Sequence, residues 1–403
     1  MMHPDTMRRI DRWVGIPLCA AASLLLPWLA PHKPSNSTAP DTVVLICIAE
    51  IGALLVAHPA IVRARKLFPE SRLCFITGPG GKGALEVMGF PDEDILILRT
   101  DSFPELLADG LKLRNALSKA GVVHAAVLEP FTRFSHLVST WVGAERRSGC
   151  HRFHNEGGYL GSLVTNPVVF NSHLHASQTY VVLVEALAED ASSEPRVKQV
   201  IPSQIRNRAR FQPPQQQQQA LQERIVQQAP ELDGKRLVLL NANASDIVPL
   251  RKWPLERFAE VGQRLLQECN DVGIILTGTP AEQNMCTQLA EQLDSRRVLS
   301  LAGQTTFPEL LTLYTLGTLL VTNDSGPVHF ASSTNIPILA LYGPEHPAVF
   351  GPMSPKATSL YLGLACSPCI TPYNQKKSSC THNRCLLDIT VEMVLEHARK
   401  FLV

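Results

Sequence analysis

The chain has 403 residues, which is more than one hydrophobic core of ordinary size organises, so two domains are expected. Its 37 basic and 36 acidic residues give a formal charge of +1, which argues against a nucleic-acid partner held by bulk electrostatics. The mean hydropathy of +0.04 is high for a soluble enzyme, so part of the apolar content is expected at a membrane.

The first forty residues differ from the rest of the chain. Three arginines precede the stretch from Trp13 to Pro31, which contains no charged residue and is interrupted by Pro17 and Pro27. Its length is close to that of a membrane span, but the prolines weaken a straight spanning helix. We therefore predict a membrane-associated segment over residues 1–40, with an apolar leader or a helix packed on the protein as the alternative.

From Thr42 onward, short apolar runs alternate with helical stretches, which is typical of a parallel sheet covered on both faces. Residues 41–190 and 233–403 are predicted to form two Rossmann-like, doubly wound domains, joined by a Gln/Pro-rich linker at 191–232. The domains are expected to face each other across a cleft, with ligand outside the carboxyl ends of their strands. The predicted strands are 42–48, 73–77, 95–98, 122–128, 237–241, 273–277, 298–301, 318–322 and 338–342.

One strand leads straight into Asp324-Ser325-Gly326-Pro327. Pro327 suits the first turn of a helix, Gly326 allows a close backbone approach, and free amides at a helix start favour an anion. The pattern predicts a diphosphate site, and the alternative is an ordinary strand-to-helix turn.

The segment 321–352, VTNDSGPVHFASSTNIPILALYGPEHPAVFGP, resembles the signature of glycosyltransferase family 9, the lipopolysaccharide heptosyltransferase family. The pieces 241–245 (NANAS) and 251–254 (RKWP) resemble the first strand and loop of that family's donor domain. The resemblance implies a GT-B architecture that binds a nucleotide sugar, ADP-linked in this family, without a required metal or other cofactor. The donor would lie on the C-terminal domain and the acceptor on the N-terminal one.

The resemblance also implies donor-site residues. Asp324, Ser325 and Gly326 would hold the diphosphate and the proximal sugar. The family has Lys two positions before the Trp, whereas this chain has Arg251 followed by Lys252, and either would balance the charge of the leaving diphosphate. The alternative for that pair is a solvated loop cation. The full predicted set is Asn243, Ser245, Arg251, Lys252, Gly278, Glu282, Asp324, Ser325, Gly326 and His329.

The acceptor side departs from the family. Inverting sugar transfer needs a carboxylate that takes the proton of the acceptor hydroxyl. The family has Asp directly after the amino-terminal Gly, but this chain has Ala53. Glu50 is the first substitute as base and Glu129 the second, with a loop-capping carboxylate as the alternative for each.

Cations among aromatic residues in a glycine-bearing stretch suit a phosphorylated or acidic sugar acceptor. Arg133, Arg152 and His154 are the predicted acceptor-binding residues, and a solvated surface loop is the alternative.

Four cysteines lie close together near the C-terminus, at Cys366, Cys369, Cys380 and Cys385. Their spacing is looser than that of paired zinc knuckles, so structural zinc, reduced packing thiols and disulfides all stay open.

The resemblance implies an inverting transferase that moves heptose from ADP-heptose to a lipopolysaccharide core or related bacterial glycolipid. Nucleotide sugars are cytoplasmic, so residues 13–31 would be an interfacial helix on the cytoplasmic face of the inner membrane. The alternative, kept open by Ala53, is a catalytically lapsed family member that binds nucleotide sugar or glycan at the membrane.

Overall fold

The computed structural model describes residues 10–29, 39–151, 158–189, 194–244 and 248–402, with the backbone alone at 26–29. The chain forms two compact units. Unit 1 comprises residues up to 207 together with Thr371–Lys376, and unit 2 comprises 208–370 and 377–403. The change from one unit to the other falls inside the predicted linker, whose glutamine run forms a helix of unit 2.

Unit 1 is built on a six-stranded parallel sheet of order β3-β2-β1-β4-β5-β6. Strand β1 is buried at every residue and pairs with both β2 and β4, as expected for a continuous apolar run. The strands are β1 Thr42–Ile46, β2 Arg72–Thr77, β3 Ile95–Ile97, β4 Val123–Val127, β5 Arg146–Cys150 and β6 Asn166–Val168. The helices are α1 Gly15–Leu29, α2 Ile51–Val56, α3 His58–Leu67, α4 Lys82–Val87, α5 Phe103–Ser118, α6 Arg133–Trp141 and α7 Ala176–Ala188.

Unit 2 repeats this plan with a parallel sheet of order β12-β11-β10-β7-β8-β9. Its core includes the fully buried Trp253 and Phe258, whose rings meet edge to face. The strands are β7 Arg236–Asn241, β8 Val272–Leu276, β9 Val298–Ser300, β10 Gly317–Asn323, β11 Ile338–Tyr342 and β12 Ala357–Tyr361. The helices are α8 Gln215–Gln228, α9 Leu255–Glu268, α10 Gln283–Leu293, α11 Phe307–Leu316, α12 Gly326–Ala331, α13 Pro347–Phe350, α14 Arg384–Leu387 and α15 Val391–Arg399.

Both sheets therefore have the doubly wound order, in which successive strands are added first on one side and then on the other. The direction reverses between β1 and β4 in unit 1, and between β7 and β10 in unit 2. Sheets of this kind bind ligands outside the carboxyl ends of the strands at this switch point. The prediction of two Rossmann-like, doubly wound domains is confirmed.

The N-terminal helix packs on unit 1 through small and polar residues. Cys19 is fully buried, Asp11 pairs with Arg133, and the amide of Ser162 donates to Ser23 Oγ at 2.9 Å. The exposed large hydrophobic side chains of residues 10–25 recur at helical spacing, at Ile10, Trp13, Val14, Leu18, Leu24 and Leu25, and Arg12 is exposed among them. Within the described ranges, no helix combines the length and apolar character needed to cross a membrane.

Candidate active site

Three neighbouring strands of unit 2 contribute charged residues beyond their carboxyl ends. Arg251 lies in the loop after β7, Asp324 follows β10 directly, and Glu345 comes three residues after β11. The Arg251 guanidinium lies between the two carboxylates, with Nε 3.4 Å from Asp324 Oδ2 and Nη2 2.5 Å from Glu345 Oε2. Asp324 and Glu345 are 2% and 1% exposed. The switch point of this sheet thus holds a buried cluster of one cation and two acids.

The loop that carries Arg251 is fixed by hydrogen bonds around a buried tryptophan. The amide of Trp253 donates to Asn323 Oδ1 at 3.0 Å, and its indole Nε1 donates to the carbonyl of Ile389 at 3.0 Å. Asn323 also donates through Nδ2 to the carbonyl of Ala242 at 2.8 Å, so the last residue of β10 holds both ends of the loop. This bracing sets where Arg251 and Lys252 lie.

The cluster alters the role predicted for Arg251, which was to balance the charge of the leaving diphosphate. Arg251 is only 14% exposed and already faces two acids, so it does not act as an isolated positive charge. Burial raises the pKa of Tyr342 well above its usual value, and the charges of Asp324 and Glu345 raise it further. The tyrosine therefore stays protonated, and its hydroxyl donates to the carbonyl of Phe350 at 3.0 Å. Lys252, the next residue after Arg251, lies half-buried at the same edge of the sheet.

Three predicted donor residues lie beyond β7 and β8. Asn243 is 2% exposed and donates through Nδ2 to the carbonyl of Thr277 at 2.9 Å. Its Oδ1 has no hydrogen-bond partner within the described part of the chain. A Cβ added at Gly278 would lie 2.7 Å from Asn243 Nδ2, so only glycine lets the asparagine lie there. Glu282 accepts from the Thr279 amide at 2.7 Å and caps the turn that leads into α10, which is a structural contact.

The predicted diphosphate turn is present but short. Ser325 lies at the N-cap position of α12, where its side chain makes no capping bond, and Gly326 begins the helix. That helix has six residues, too few for a strong dipole, and His329 is its fourth residue. Ser245, also predicted to contact the donor, lies outside the described residues.

In unit 1, the two candidate bases lie on either side of the switch point of the first sheet. Glu129 follows β4 and is buried, and Glu50 follows β1 with a side chain that is 49% exposed. Glu129 Oε1 accepts from the amides of Ile48 and Ala49, at 3.1 and 2.7 Å, and its Oε2 accepts from the hydroxyl of Ser135. Burial raises the pKa of Glu129 despite these three hydrogen bonds. Glu129 thus has the contacts of a loop-capping carboxylate, and the loop that it holds carries Glu50.

Glu50 occupies the N-cap position of α2 without a side-chain capping bond. Its carboxylate instead forms an ion pair with Lys376, whose side chain is 21% exposed. Ala53, at the position of the family's aspartate, is buried within the same helix. Glu50 is therefore the exposed carboxylate of this loop.

Lys376 reaches unit 1 because the short segment 371–376 folds there rather than with its neighbours in the chain. Tyr373 packs against the rings of Phe131 and Phe170, each at a centroid distance of 5.3 Å. Its hydroxyl donates to the carbonyl of Phe170 at 2.7 Å. These contacts hold the segment in place beside Glu50.

The predicted acceptor residues are only partly described. Arg133 is 5% exposed, pairs with Asp11 and donates to the carbonyl of Tyr159 at 3.0 Å. These contacts hold the N-terminal helix against the rest of unit 1. Arg133 therefore has a structural role. Arg152 and His154 lie outside the described residues.

The four cysteines of the segment 366–385 are present as free thiols. Cys366, Cys369, Cys380 and Cys385 are all unbridged, which contradicts the disulfide alternative. Cys385 is buried, and burial raises the pKa of its thiol to about 11. In the part of the chain that the structure describes, no three His, Cys, Asp or Glu residues are arranged to hold a metal ion, so the zinc alternative has no geometric support.

Sequence reasoning missed Glu345 and Lys376. Glu345 had a signal, since an acid three residues beyond a buried strand lies at the ligand-binding edge of a doubly wound sheet. Lys376 had none, because its place beside Glu50 depends on a segment far away in sequence that returns to unit 1.

Two Rossmann-like domains, each a doubly wound parallel sheet, make up the GT-B architecture. The family model described as glycosyltransferase family 9 (heptosyltransferase) matches residues 135–379, well over half of the chain. The chain belongs to this family.

Individual relatives agree with this assignment. The chain is 31% identical over 173 residues to lipooligosaccharide heptosyltransferase 2 of Campylobacter jejuni, a stretch that covers 42% of this chain and 52% of that protein. It is 29% identical over 177 residues to lipopolysaccharide heptosyltransferase 2 of Salmonella typhimurium, covering 42% and 48%. The chain thus spans about half the length of the curated relatives that it matches.

Solved structures share the fold over more of the chain. The ADP-heptose lipopolysaccharide heptosyltransferase II of E. coli superposes with a TM-score of 0.67 at 21% identity, covering 90% of this chain and 98% of that one. A family 9 glycosyltransferase of Veillonella parvula gives the same TM-score at 20% identity, covering 91% and 99%.

Proposed function

We propose that the protein is an inverting glycosyltransferase that moves heptose from ADP-heptose to a lipopolysaccharide core or related bacterial glycolipid. The observation that best supports this activity is the exposed Glu50 carboxylate at the switch point of unit 1, in a family whose reaction needs a base on that side. The named relatives are heptosyltransferases, which supports the choice of sugar.

In the proposed reaction, an acceptor hydroxyl attacks the anomeric carbon of the sugar while Glu50 takes the hydroxyl proton. The bond from that carbon to the diphosphate oxygen breaks, and the nucleoside diphosphate leaves with the electron pair. Attack from the opposite side inverts the configuration. In unit 2, Lys252 lies at the edge of the sheet where such folds bind ligands, and it would balance the charge of the leaving diphosphate. No step of this scheme requires a metal ion or another cofactor.

The first experiment identifies the nucleotide. Thermal melting of the full chain with ADP, UDP and GDP reports binding, because a ligand that prefers the native state raises the melting temperature. We expect a selective shift with ADP, and a selective shift with UDP would overturn the choice of donor.

The second experiment tests the base. Purified protein is given ADP-heptose and a heptose-deficient lipopolysaccharide precursor, and release of ADP is measured together with glycan mass. Glu50→Gln should abolish transfer, whereas Glu93→Gln, an exposed control in unit 1, should leave it unchanged. A wild-type protein that binds nucleotide but neither transfers nor hydrolyses a donor would favour the lapsed-enzyme alternative.

We also propose that residues 13–31 hold the protein on the cytoplasmic face of the inner membrane. The outward side of the N-terminal helix presents Trp13, Leu18, Leu24 and Leu25 at exposures of 73%, 49%, 76% and 52%, and the side toward the protein is small or polar. A helix with this arrangement buries its apolar stripe at the boundary between headgroups and acyl chains.

Flotation with vesicles of phosphatidylethanolamine and phosphatidylglycerol tests the membrane proposal. Replacement of Leu24 and Leu25 by serine should release the protein from the vesicles. Val62→Ser, which changes an apolar residue of similar exposure on another helix, should not. Equal flotation of both variants would refute attachment through this segment.

A further inference from the structure

The buried cluster at the switch point of unit 2 pairs two carboxylates with the guanidinium of Arg251. Glu345 is 1% exposed, and its Oε2 contacts Arg251. Its other oxygen, Oε1, is buried and has no hydrogen-bond partner among the residues that the structure describes. A buried acceptor without a donor destabilises a fold, so a carboxylate oxygen in this state indicates a donor outside the described part of the chain, and a bound ligand can supply it.

The chemistry of that missing donor follows from the types of atom present. A phosphate group offers acceptors only, and a phosphate oxygen beside a carboxylate oxygen would be repelled. A sugar offers several hydroxyl groups, each able to donate. Asn243 Oδ1, beyond strand β7, which lies two strands from β11 in the same sheet, is a second buried acceptor without a partner in the described ranges. Two buried acceptors at one edge of a sheet fit a ligand rich in hydroxyl groups.

We propose that Glu345 is a specificity-determining residue for the transferred sugar, and that its Oε1 accepts hydrogen bonds from hydroxyl groups of that sugar. This inference rests on the proposed function, since it assumes that unit 2 binds the nucleotide sugar. Arg251 plays a different part in it: its guanidinium lies between Glu345 and Asp324 and orients both carboxylates.

The test compares binding of the whole nucleotide sugar with binding of the nucleotide alone. Isothermal titration of the full chain measures the Kd of ADP and of ADP-heptose, or of the corresponding pair for another nucleotide that thermal melting selects. Glu345→Gln places an amide where the carboxylate was and removes its charge. We expect the Kd of ADP-heptose to rise at least tenfold and that of ADP to stay within twofold. Glu260→Gln, an exposed change on α9 of the same unit, should alter neither.

Each other outcome has a distinct meaning. Equal weakening of ADP and ADP-heptose would show that Glu345 acts only through Arg251 on the diphosphate, and would overturn the inference. No change in either Kd would overturn it as well. A wild-type protein that binds neither ligand would instead refute the proposed function itself.

A second variant covers the case in which Glu345→Gln does not fold. Glu345→Asp keeps the negative charge opposite Arg251 but withdraws the carboxylate by one methylene. It should melt near the wild-type temperature and still lose affinity for ADP-heptose selectively. Unchanged affinity of this variant for ADP-heptose would also overturn the inference.

Discussion

Two buried histidines of unit 1 make its stability depend on pH. His136 lies on α6 and is fully buried against β5, where a Cβ at Gly149 would come within 2.1 Å of its ring. Burial, with smaller contributions from the charges of Arg147 and His151, lowers the pKa of His136 to about 3. Burial, with the charge of Arg146, lowers the pKa of His124 to about 4. Both imidazoles are therefore neutral in the folded protein.

The direction of the pH effect follows from linkage. In the unfolded chain each histidine titrates near pH 6.5, so below that pH the unfolded state takes up protons that the folded state does not. Stability is thus complete above pH 6.5 and is lost as the pH falls toward the folded pKa values. Between pH 7 and pH 5, the lost free energy of unfolding is about 2 kcal/mol for each histidine, or about 4 kcal/mol for both. That is a large part of the 5–15 kcal/mol typical of a domain.

Urea unfolding at pH 7, 6 and 5, followed by far-ultraviolet circular dichroism, measures this dependence. His136→Leu removes one of the two titrating groups and should reduce the loss between pH 7 and pH 5 to about 2 kcal/mol. His173→Leu, at an exposed histidine of the same unit, should keep the wild-type dependence. Equal unfolding free energies of the wild type at pH 7 and pH 5, or an unchanged loss in His136→Leu, would refute the reasoning.

Three further predictions concern the two switch points. Lys376→Met should lower kcat several-fold, because the lysine orients Glu50. The change in Tm should be small, because a partly exposed ion pair contributes at most about 1 kcal/mol to stability. Lys376→Arg should restore kcat. Glu129→Gln should retain most of the turnover. Glu129→Ala should destabilise the protein by about 3 kcal/mol, because the buried amides of the loop lose their acceptor. A Glu129→Gln variant that is inactive but stable would instead identify Glu129 as the base. Gly278→Ala should raise the Kd of ADP-heptose, since the added methyl group displaces Asn243. An unchanged Kd would contradict a role of Asn243 in donor binding.

Local patterns predicted much of the architecture. The apolar runs at 42–48 and 338–342 have enough β-branched and apolar character to mark buried strands, and both are strands in the structure. Strand β5 escaped prediction because its sequence, RRSGC, carries two arginines whose burial depends on tertiary contacts. Arg147, for example, is satisfied by the carbonyls of Leu163 and Ala144.

The site was predictable only where the residues that form it are close in sequence. Asp324 follows a strand directly, so the sequence places it at the ligand-binding edge. The pairing of Arg251 with Glu345 depends on β7, β10 and β11 lying side by side, and strand order is a long-range property. Short-range patterns carry no information about which acid an arginine will meet across a sheet.

The return of residues 371–376 to unit 1 has a consequence for recombination between family members. The chain passes from one unit to the other at three places, after residues 207, 370 and 376. A hybrid enzyme made by a single exchange in the linker would give Glu50 a partner from the foreign sequence in place of Lys376. Exchange of the whole of unit 2 therefore requires that this six-residue segment be kept with the N-terminal half of the chain. The residues of unit 1 are thus discontinuous in the sequence, although each unit has its own sheet and core.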